Sequence, residues 1–411
     1  MTKIILYIIQ KTGIITIKRI DKQSAFCYIK YVGRLKGGPF SIAERKMLMA
    51  ELGFGFLRMP QNENGLDYAA INKMVDAFMV AGGTYFDTAY MYLDGKSEEA
   101  IRKCVVERYP RESFFLADKM PGYDVTCYDD CRKYFEESCR RCGVEYFDLS
   151  MLHWLNEKHY RIALAQKEFE FLKAVKAEGK AKLIGFSFHD TAALLDEILT
   201  DHPEVDVVLL QINYLDWESP AIQSRLCYET ALRHGKTVVV MEPAKGGTLA
   251  KVPPAAETLL KTIDPNAGPA ALAIRFARSL PGVHTVLSGM KTLEQMHDNL
   301  RQTGAMSKEE LETMAQAAEE IRKAVAVPCT GCGYCLRHCP KEIPISRCFS
   351  LYNEALLYPR QSWKIIPAYA AMTAEGSKAS NCIGCGSCEE GCPQKLPIRE
   401  HLKAVAETLE V

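Results

Sequence analysis

"YAAINKMVDAFMVAGGTYFDTA" occupies residues 68–89 and shows the repeating unit of the chain. Its first part, YAAINKMVDAFMVAGG, has helical period and ends on glycine, and a short β-rich run follows at once. The same alternation extends from about Leu52 to Asn299. Its strand-like runs are LGFGFL, TYFDTA, SFFLAD, FDLSMLH, AKLIGFS, VDVVLLQI, KTVVVME and VHTVLSG. Segments of helical period lie between them, among them SEEAIRKCVVERY, YDDCRKYFEESCRRCG, EFEFLKAVKAEGK and PAALAIRFARSL.

Eight strands and about eight helices over roughly 250 residues predict an α/β fold of the (β/α)8, or TIM barrel, class. A doubly wound sheet is the alternative. Such sheets usually carry a glycine-rich phosphate turn after the first strand, and GFGFLRMP is not one. The expected organisation has four parts. Residues 1–46 form a basic N-terminal extension or hairpin, and 47–304 form the barrel. Residues 305–327 form an exposed linking helix, and 328–411 form a small helix-rich domain that carries most of the clustered cysteines.

The chain has 411 residues, enough for a large core and more than one domain. Lys plus Arg equals Asp plus Glu at 51 each. That balance hides an asymmetry, because residues 1–46 hold ten Lys/Arg against two Asp/Glu. The basic segment does not interleave aromatic with basic residues as a nucleic-acid face does. It reads as an edge hairpin, or as a start placed too early, with Met47 or Met49 as the beginning. No apolar run is long enough to span a bilayer. "IILYIIQ" has no small-residue cleavage site after it and reads as a strand. A soluble cytoplasmic protein with no membrane or nucleic-acid partner is therefore expected.

Sixteen cysteines point to metal rather than disulfides in such a chain. Eight of them fall in two matched runs, "CTGCGYCLRHCP" at 329–340 and "CIGCGSCEEGCP" at 382–393. Each reads C-x2-C-x2-C-x3-C-P, the ligation pattern of bacterial iron–sulfur proteins. Three closely spaced thiolates wrap three corners of a cube, and in two-cluster ferredoxins the fourth serves the other cluster. The expected ligand sets for two [4Fe-4S] clusters are Cys329, Cys332, Cys335 with Cys392, and Cys382, Cys385, Cys388 with Cys339. Gly331, Gly333, Gly384 and Gly386 allow the tight turns between the thiols. Zinc is the competing reading, but zinc sites usually use separate CxxC pairs. The helical spacer between the runs makes this ferredoxin-like domain helix-rich. Cys127, Cys131, Cys139 and Cys142 share one helix, and with Cys27, Cys104, Cys227 and Cys348 they read as core or surface residues.

In a barrel the chemistry lies at the C-terminal ends of the strands. Those ends offer Asp87 and Tyr92, Lys119, His153, Ser187 and His189, Gln211, Met241 and Glu242, then Ser288 and Gly289. "YFDTAYMY", "ADKMP" and "SMLHW" resemble the aldo-keto reductase family over about residues 52–300. With the cysteine runs, the chain resembles the subgroup that carries a C-terminal ferredoxin-like domain. The resemblance implies a catalytic tetrad of Asp87, Tyr92, Lys119 and His153, and spacing selects Tyr92 over Tyr90. It further implies NADP(H) or NAD(H) as cofactor and a small carbonyl or alcohol substrate. Ser187, His189 and Gln211 would hold the nicotinamide carboxamide. Met241 stands where relatives have an aromatic, and Gly289, Thr292, Gln295 and Asn299 would meet the rest of the nucleotide.

The residue types suit carbonyl reduction. A tyrosine hydroxyl supplies a proton to oxygen but has a free pKa of about 10. A neighbouring lysine is expected to favour the phenolate, an aspartate to hold that lysine charged, and a histidine to orient the substrate oxygen. The clusters would couple to or gate this activity, with a redox partner protein as one route for electrons. Two other readings stay open. In one the barrel binds nucleotide for an electron-transfer or redox-sensing module, and in the other the clusters are purely structural.

Overall fold

The structure, a computed structural model, describes residues 15–19, 28–32, 51–220, 222–357, 362–374 and 376–410. Within residues 1–47, which form a unit of their own, Ile15–Arg19 pairs with Tyr28–Val32 as an antiparallel hairpin. Cys27 lies outside the described residues.

The eight apolar runs form eight parallel strands: β1 (Glu51–Gly55), β2 (Tyr85–Asp87), β3 (Phe115–Met120), β4 (Phe147–Leu155), β5 (Ala181–Phe188), β6 (Val207–Gln211), β7 (Thr237–Met241) and β8 (Val283–Ser288). They close in chain order into a barrel, with β8 pairing to β1. Parallel strands are covered on both faces and need apolar residues throughout. Every residue of β4 and of β6 is buried accordingly.

Alternate residues of each strand point inward. Tyr85, Ala117, Leu149, Met151, Val207, Leu209, Val239 and Leu287 form one cluster inside the barrel. The next positions of the same parity are Asp87, Lys119, His153, Gln211 and Met241. The alternation that fills the barrel thus also delivers polar groups to its mouth.

The helices cover the outside. Tyr68–Val80 starts at Asp67, whose carboxylate accepts the Ala70 N–H at 3.0 Å, and buries Ile71, Met74, Val75 and Phe78. Gly83 lies against the Phe78 ring, where a Cβ would collide. The segment read as one helix at 97–109 is an α-helix over Lys96–Ile101 that widens into a π turn over Arg102–Val106.

The helix expected to stand exposed as a linker spans Lys308–Ala324. One face of it is not exposed: Met314, Ala317, Ala318 and Ile321 are buried in the core that surrounds the barrel. An amphipathic helix lowers its free energy by covering its apolar stripe, and the helix Pro254–Ile263 on the outside of the barrel offers that cover. Arg322 also donates to the Leu215 carbonyl at 2.7 Å.

Beyond it, helices Ile345–Leu357, Ser362–Met372 and Ile398–Leu409 surround a second core. Phe349, Ile365, Tyr369, Leu402 and Val405 fill that core together with Cys335, Cys388 and Cys392. Among the described residues no helix is long and apolar enough to cross a membrane.

The C-terminal region docks on the mouth of the barrel through directed hydrogen bonds. Arg58, just after β1, donates to the carbonyls of Gly246 at 2.9 Å and Thr330 at 3.1 Å. The Thr248 hydroxyl donates to the Cys329 carbonyl at 3.2 Å. The two backbones touch at Gly246, which has φ +65°, and a Cβ there would collide with the Thr330 carbonyl. Both the conformation and the close approach require glycine at this position.

Candidate active site and cluster sites

A cleft of about 750 Å³ opens at the C-terminal end of the barrel. Asp87, Tyr92, Lys119 and His153 all line it. Lys119 comes from the middle of the mouth end of β3 and is 1 % exposed. Its ammonium donates to Asp87 Oδ1 at 2.6 Å and to the Thr88 carbonyl at 2.7 Å. The loop after β2 runs on along β3, since Thr88 N–H donates to the Ala117 carbonyl and Tyr90 N–H to the Lys119 carbonyl. That pairing carries Tyr92 over Lys119, whose Nζ is 4.9 Å from the ring centroid. The Tyr92 and His153 rings meet edge-on at 5.5 Å.

The electrostatics differ from the expectation in one respect. Lys119 sits over the Tyr92 ring and spends its donors on Asp87 and Thr88. Burial, with Asp87 and other neighbouring acids, pushes the Tyr92 phenol well above its ordinary value. The phenol is therefore held protonated instead of being made acidic. Burial also pushes the Asp87 carboxyl up, against the pull of Lys119. Burial and then Lys119 push His153 well below the usual histidine range, so its ring is neutral.

Strain collects around the same mouth. Leu93 and Asp94 beside Tyr92, Trp154 beside His153, and Glu242 and Lys245 after β7 all have positive φ without being glycine. The Trp154 N–H donates to the Ser187 hydroxyl at 2.7 Å, which fixes Ser187 at the end of β5.

The other expected contacts divide into two groups. Ser187, His189, Met241, Gly289, Gln295 and Asn299 line the cleft. Gln211 stands behind His189, with its Oε1 3.1 Å from the imidazole Nδ1. Thr292 is turned to another task, since its hydroxyl accepts the Gln295 N–H at 3.2 Å and caps helix Leu293–Arg301. The Asn299 amide donates to the Ser288 hydroxyl at 3.2 Å.

The cysteines of the two runs form two sets. One small cavity is lined by Cys329, Cys332, Cys335 and Cys392. A second is lined by Cys339, Cys382, Cys385 and Cys388. Each cavity thus takes three thiols from one run and the fourth from the other, the crossed arrangement of two-cluster ferredoxins. Gly331, Gly333, Gly384 and Gly386 all have positive φ. The Gly331 N–H donates to the Cys329 sulfur at 3.4 Å. Burial holds the Cys332 thiol up at about 12, so ionising four such thiols in one place calls for a compensating cation. The donor set fits a cluster at each site. The first set abuts the barrel, and Cys332 is itself part of the cleft wall. In the second, Cys385 is exposed. The remaining described cysteines form no disulfides.

Comparison with known proteins agrees with this layout. The aldo/keto reductase family model matches residues 51–319, and the 4Fe-4S dicluster domain model matches residues 328–396. The chain belongs to the aldo/keto reductase family. An aldo-keto reductase of Strobilurus tenacellus is 31 % identical over 216 residues, which are 49 % of this chain and 60 % of that protein. The next curated relatives are covered over 45 % and 50 % of their length, so the chain spans about half the length of the curated proteins it matches. Among solved structures, an aldo-keto reductase from Bacillus halodurans in holo form has a TM-score of 0.55 at 20 % identity, covering 66 % of this chain and 92 % of that one. One from Klebsiella pneumoniae in complex with NADPH also has a TM-score of 0.55 at 20 % identity, covering 66 % and 95 %. At that identity the likeness concerns the fold.

Several further groups stand at the mouth of this aldo/keto reductase barrel. Glu242 follows Met241, is half-buried in the cleft wall, and accepts from Gln211 and Gln394 at 3.1 Å each. Lys245 donates to Asp216 at 2.5 Å and to Gln394 at 2.8 Å. Tyr334 and Arg337 reach the cleft from the first cysteine run. Strand-end position marks Glu242 in the sequence, but nothing in the cysteine spacing says which side Tyr334 faces.

Glu168 is a further buried acid near the site. A Cβ at Gly122 would collide with its carboxyl group, and the Gly122–Asp124 turn carries Tyr123, whose ring is 6.3 Å from that of His153. Both Glu168 oxygens are buried with no hydrogen-bond partner among the described residues, and burial raises its pKa from 4.5 to about 8. The folded state then binds this proton more tightly than the unfolded chain. Its contribution to stability declines as pH rises from about 4.5 to about 8. Glu168→Gln is expected to raise the melting temperature relative to the parent at about pH 8.5 and to bring no such gain near pH 4.5. Thermal melts of both proteins across that range check the sign.

Proposed function

We propose that the chain is an NAD(P)H-dependent carbonyl reductase acting on a small aldehyde or ketone, with two [4Fe-4S] clusters in its C-terminal domain. The observation that supports this best is the buried Lys119–Asp87 pair beneath Tyr92 and His153 in a single cleft. A reduced nicotinamide nucleotide would supply hydride to the carbonyl carbon. Ser187 and His189, with Gln211 behind them, would hold its carboxamide, and Met241 would pack on the ring. Gly289, Gln295 and Asn299 would line the far end of the nucleotide, with Thr292 fixing the helix that carries the last two.

Tyr92 gives its proton to the forming alkoxide. The hydroxyl carries its proton at neutral pH, and burial, which raises its pKa, makes the nearby Lys119 charge the more necessary for releasing it. Lys119 places positive charge below the phenol and offsets the negative charge that develops above it. Asp87 holds Lys119 in position, and the neutral His153 ring orients the substrate oxygen by hydrogen bonding. The compartment that fits exposed cluster thiolates such as Cys385 is a reducing one, the cytoplasm.

A second reading is supported by Cys332 in the cleft wall and Cys385 at the surface. In it the clusters pass electrons between the occupant of the cleft and a partner protein.

Tyr92→Phe is expected to lower NADPH-dependent aldehyde reduction by about 10²–10⁴-fold while leaving NADPH affinity unchanged. Steady-state kinetics beside fluorescence titration of the nucleotide read the two effects separately. Equal turnover by the variant would remove the assignment. Protein purified without oxygen is expected to hold about eight iron and eight sulfide per chain. Titration of that protein with NADPH, followed by EPR, tests the second reading. A reduced-cluster signal supports electron exchange with the cleft, and an unchanged spectrum leaves the clusters structural or gating.

A further inference from the structure

The roof of the catalytic cleft is built by the iron–sulfur domain. Tyr334 lies between two ligands of the first cluster, Cys332 and Cys335, and its side chain points away from the thiols toward the barrel. Its ring stacks on Trp154 with centroids 4.4 Å apart and planes at 13°. Trp154 directly follows His153 and is itself fixed, at φ +62° with its N–H on Ser187. One face of the Tyr334 ring is thus committed to the barrel, and the side chain lines the cleft that also holds Tyr92 and His153. No hydrogen bond from another described residue reaches its hydroxyl.

The loop that presents Tyr334 is tied to the barrel where it begins, and the segment after Cys392 is tied beside it. Thr330 is tied to Arg58 at 3.1 Å, and Cys329 to Thr248 at 3.2 Å. Gln394, two residues after Cys392, sits between Lys245 at 2.8 Å and Glu242 at 3.1 Å. Gly333, at φ +81°, gives the turn that lets the chain pass from cluster ligand to cleft wall. A tyrosine hydroxyl held this firmly over a cleft, with no partner of its own, is arranged to meet a polar atom of what the cleft binds.

Resting on the carbonyl-reductase reading above, we propose that Tyr334 is a substrate-contacting residue. Its hydroxyl bonds an oxygen neighbouring the reactive carbonyl, so the site favours carbonyl compounds with a hydroxyl or second oxygen on the adjacent carbon. The cluster has a definite part in this: it anchors the loop from which Tyr334 reaches the substrate, and the specificity of the barrel depends on the domain after it.

The test compares 2-hydroxypropanal with 2-methylpropanal, which differ by a hydroxyl in place of a methyl. The parent protein, with both clusters loaded, is expected to favour 2-hydroxypropanal in kcat/KM. Tyr334→Phe is expected to shrink that preference on the order of tenfold, mainly through KM for the hydroxy aldehyde. Its iron count and NADPH affinity are expected to match those of the parent. An unchanged preference in fully loaded Tyr334→Phe overturns this inference alone. Turnover of neither aldehyde by the parent overturns the carbonyl-reductase reading, and this inference falls with it. A loss of iron in the variant equal to its loss of preference also overturns it, because Tyr334 would then serve the cluster and not the substrate.

Discussion

The site depends on one buried ion pair, Lys119 with Asp87. Both side chains are almost without solvent contact, and Nζ lies 2.6 Å from Oδ1. Removing two charges from water is costly, and their attraction in the interior does little more than offset that cost. Removal of one partner strands the other and typically costs about 3–5 kcal/mol. An apolar pair of similar volume would serve stability as well or better. What the pair does provide is a fixed positive charge under Tyr92, at a place where the barrel could otherwise have kept its interior apolar. The Thr88 carbonyl supplies a second acceptor for the ammonium, and the β2–β3 loop pairing that positions Thr88 also positions Tyr92. The Lys119 charge and the Tyr92 hydroxyl are therefore placed by the same short stretch of backbone.

A second joint binds the two halves of the molecule. Arg58, Gly246, Thr248, Lys245 and Glu242 from the barrel meet Cys329, Thr330 and Gln394 from the iron–sulfur domain. Every barrel residue in that group follows β1 or β7. The cluster domain thus rests on loops that also frame the cleft, which is why the first ligand set reaches the cleft wall and the second reaches solvent. The continuous polar line from His189 through Gln211 and Glu242 to Gln394 runs from the proposed carboxamide pocket to the edge of the first cluster.

Much of this was legible in the sequence, for physical reasons particular to the fold. Strands of a parallel barrel are buried on both faces, so β4 and β6 read as unbroken apolar runs. Strand parity then places Asp87, Lys119 and His153 on the inward side at the mouth. Cluster ligation demands thiols at fixed intervals, so the two cysteine runs stood out, and their crossed pairing came from the likeness to two-cluster ferredoxins. Other features carried no periodic signal. The apolar stripe of Lys308–Ala324 was plain, but not what it would cover. Thr292 looked like a nucleotide contact because cap residues and ligand contacts use the same side chains. The lysine was expected to acidify Tyr92, yet the direction depends on where the ammonium points, and a sequence does not contain that. The docking of Thr330 on Gly246 and the facing of Tyr334 arise from contacts between segments far apart in the chain.

Hydride transfer from nucleotide to carbonyl under the control of the buried lysine is the proposal on which the other roles depend. The most direct measurement follows deuterium from the C4 position of a labelled nicotinamide nucleotide into the alcohol product, in the parent protein and in Lys119→Met. Label is expected in the product of the parent, with loss of that transfer in the variant while the nucleotide still binds. Label appearing at the same rate in both proteins, or in neither, would contradict that proposal.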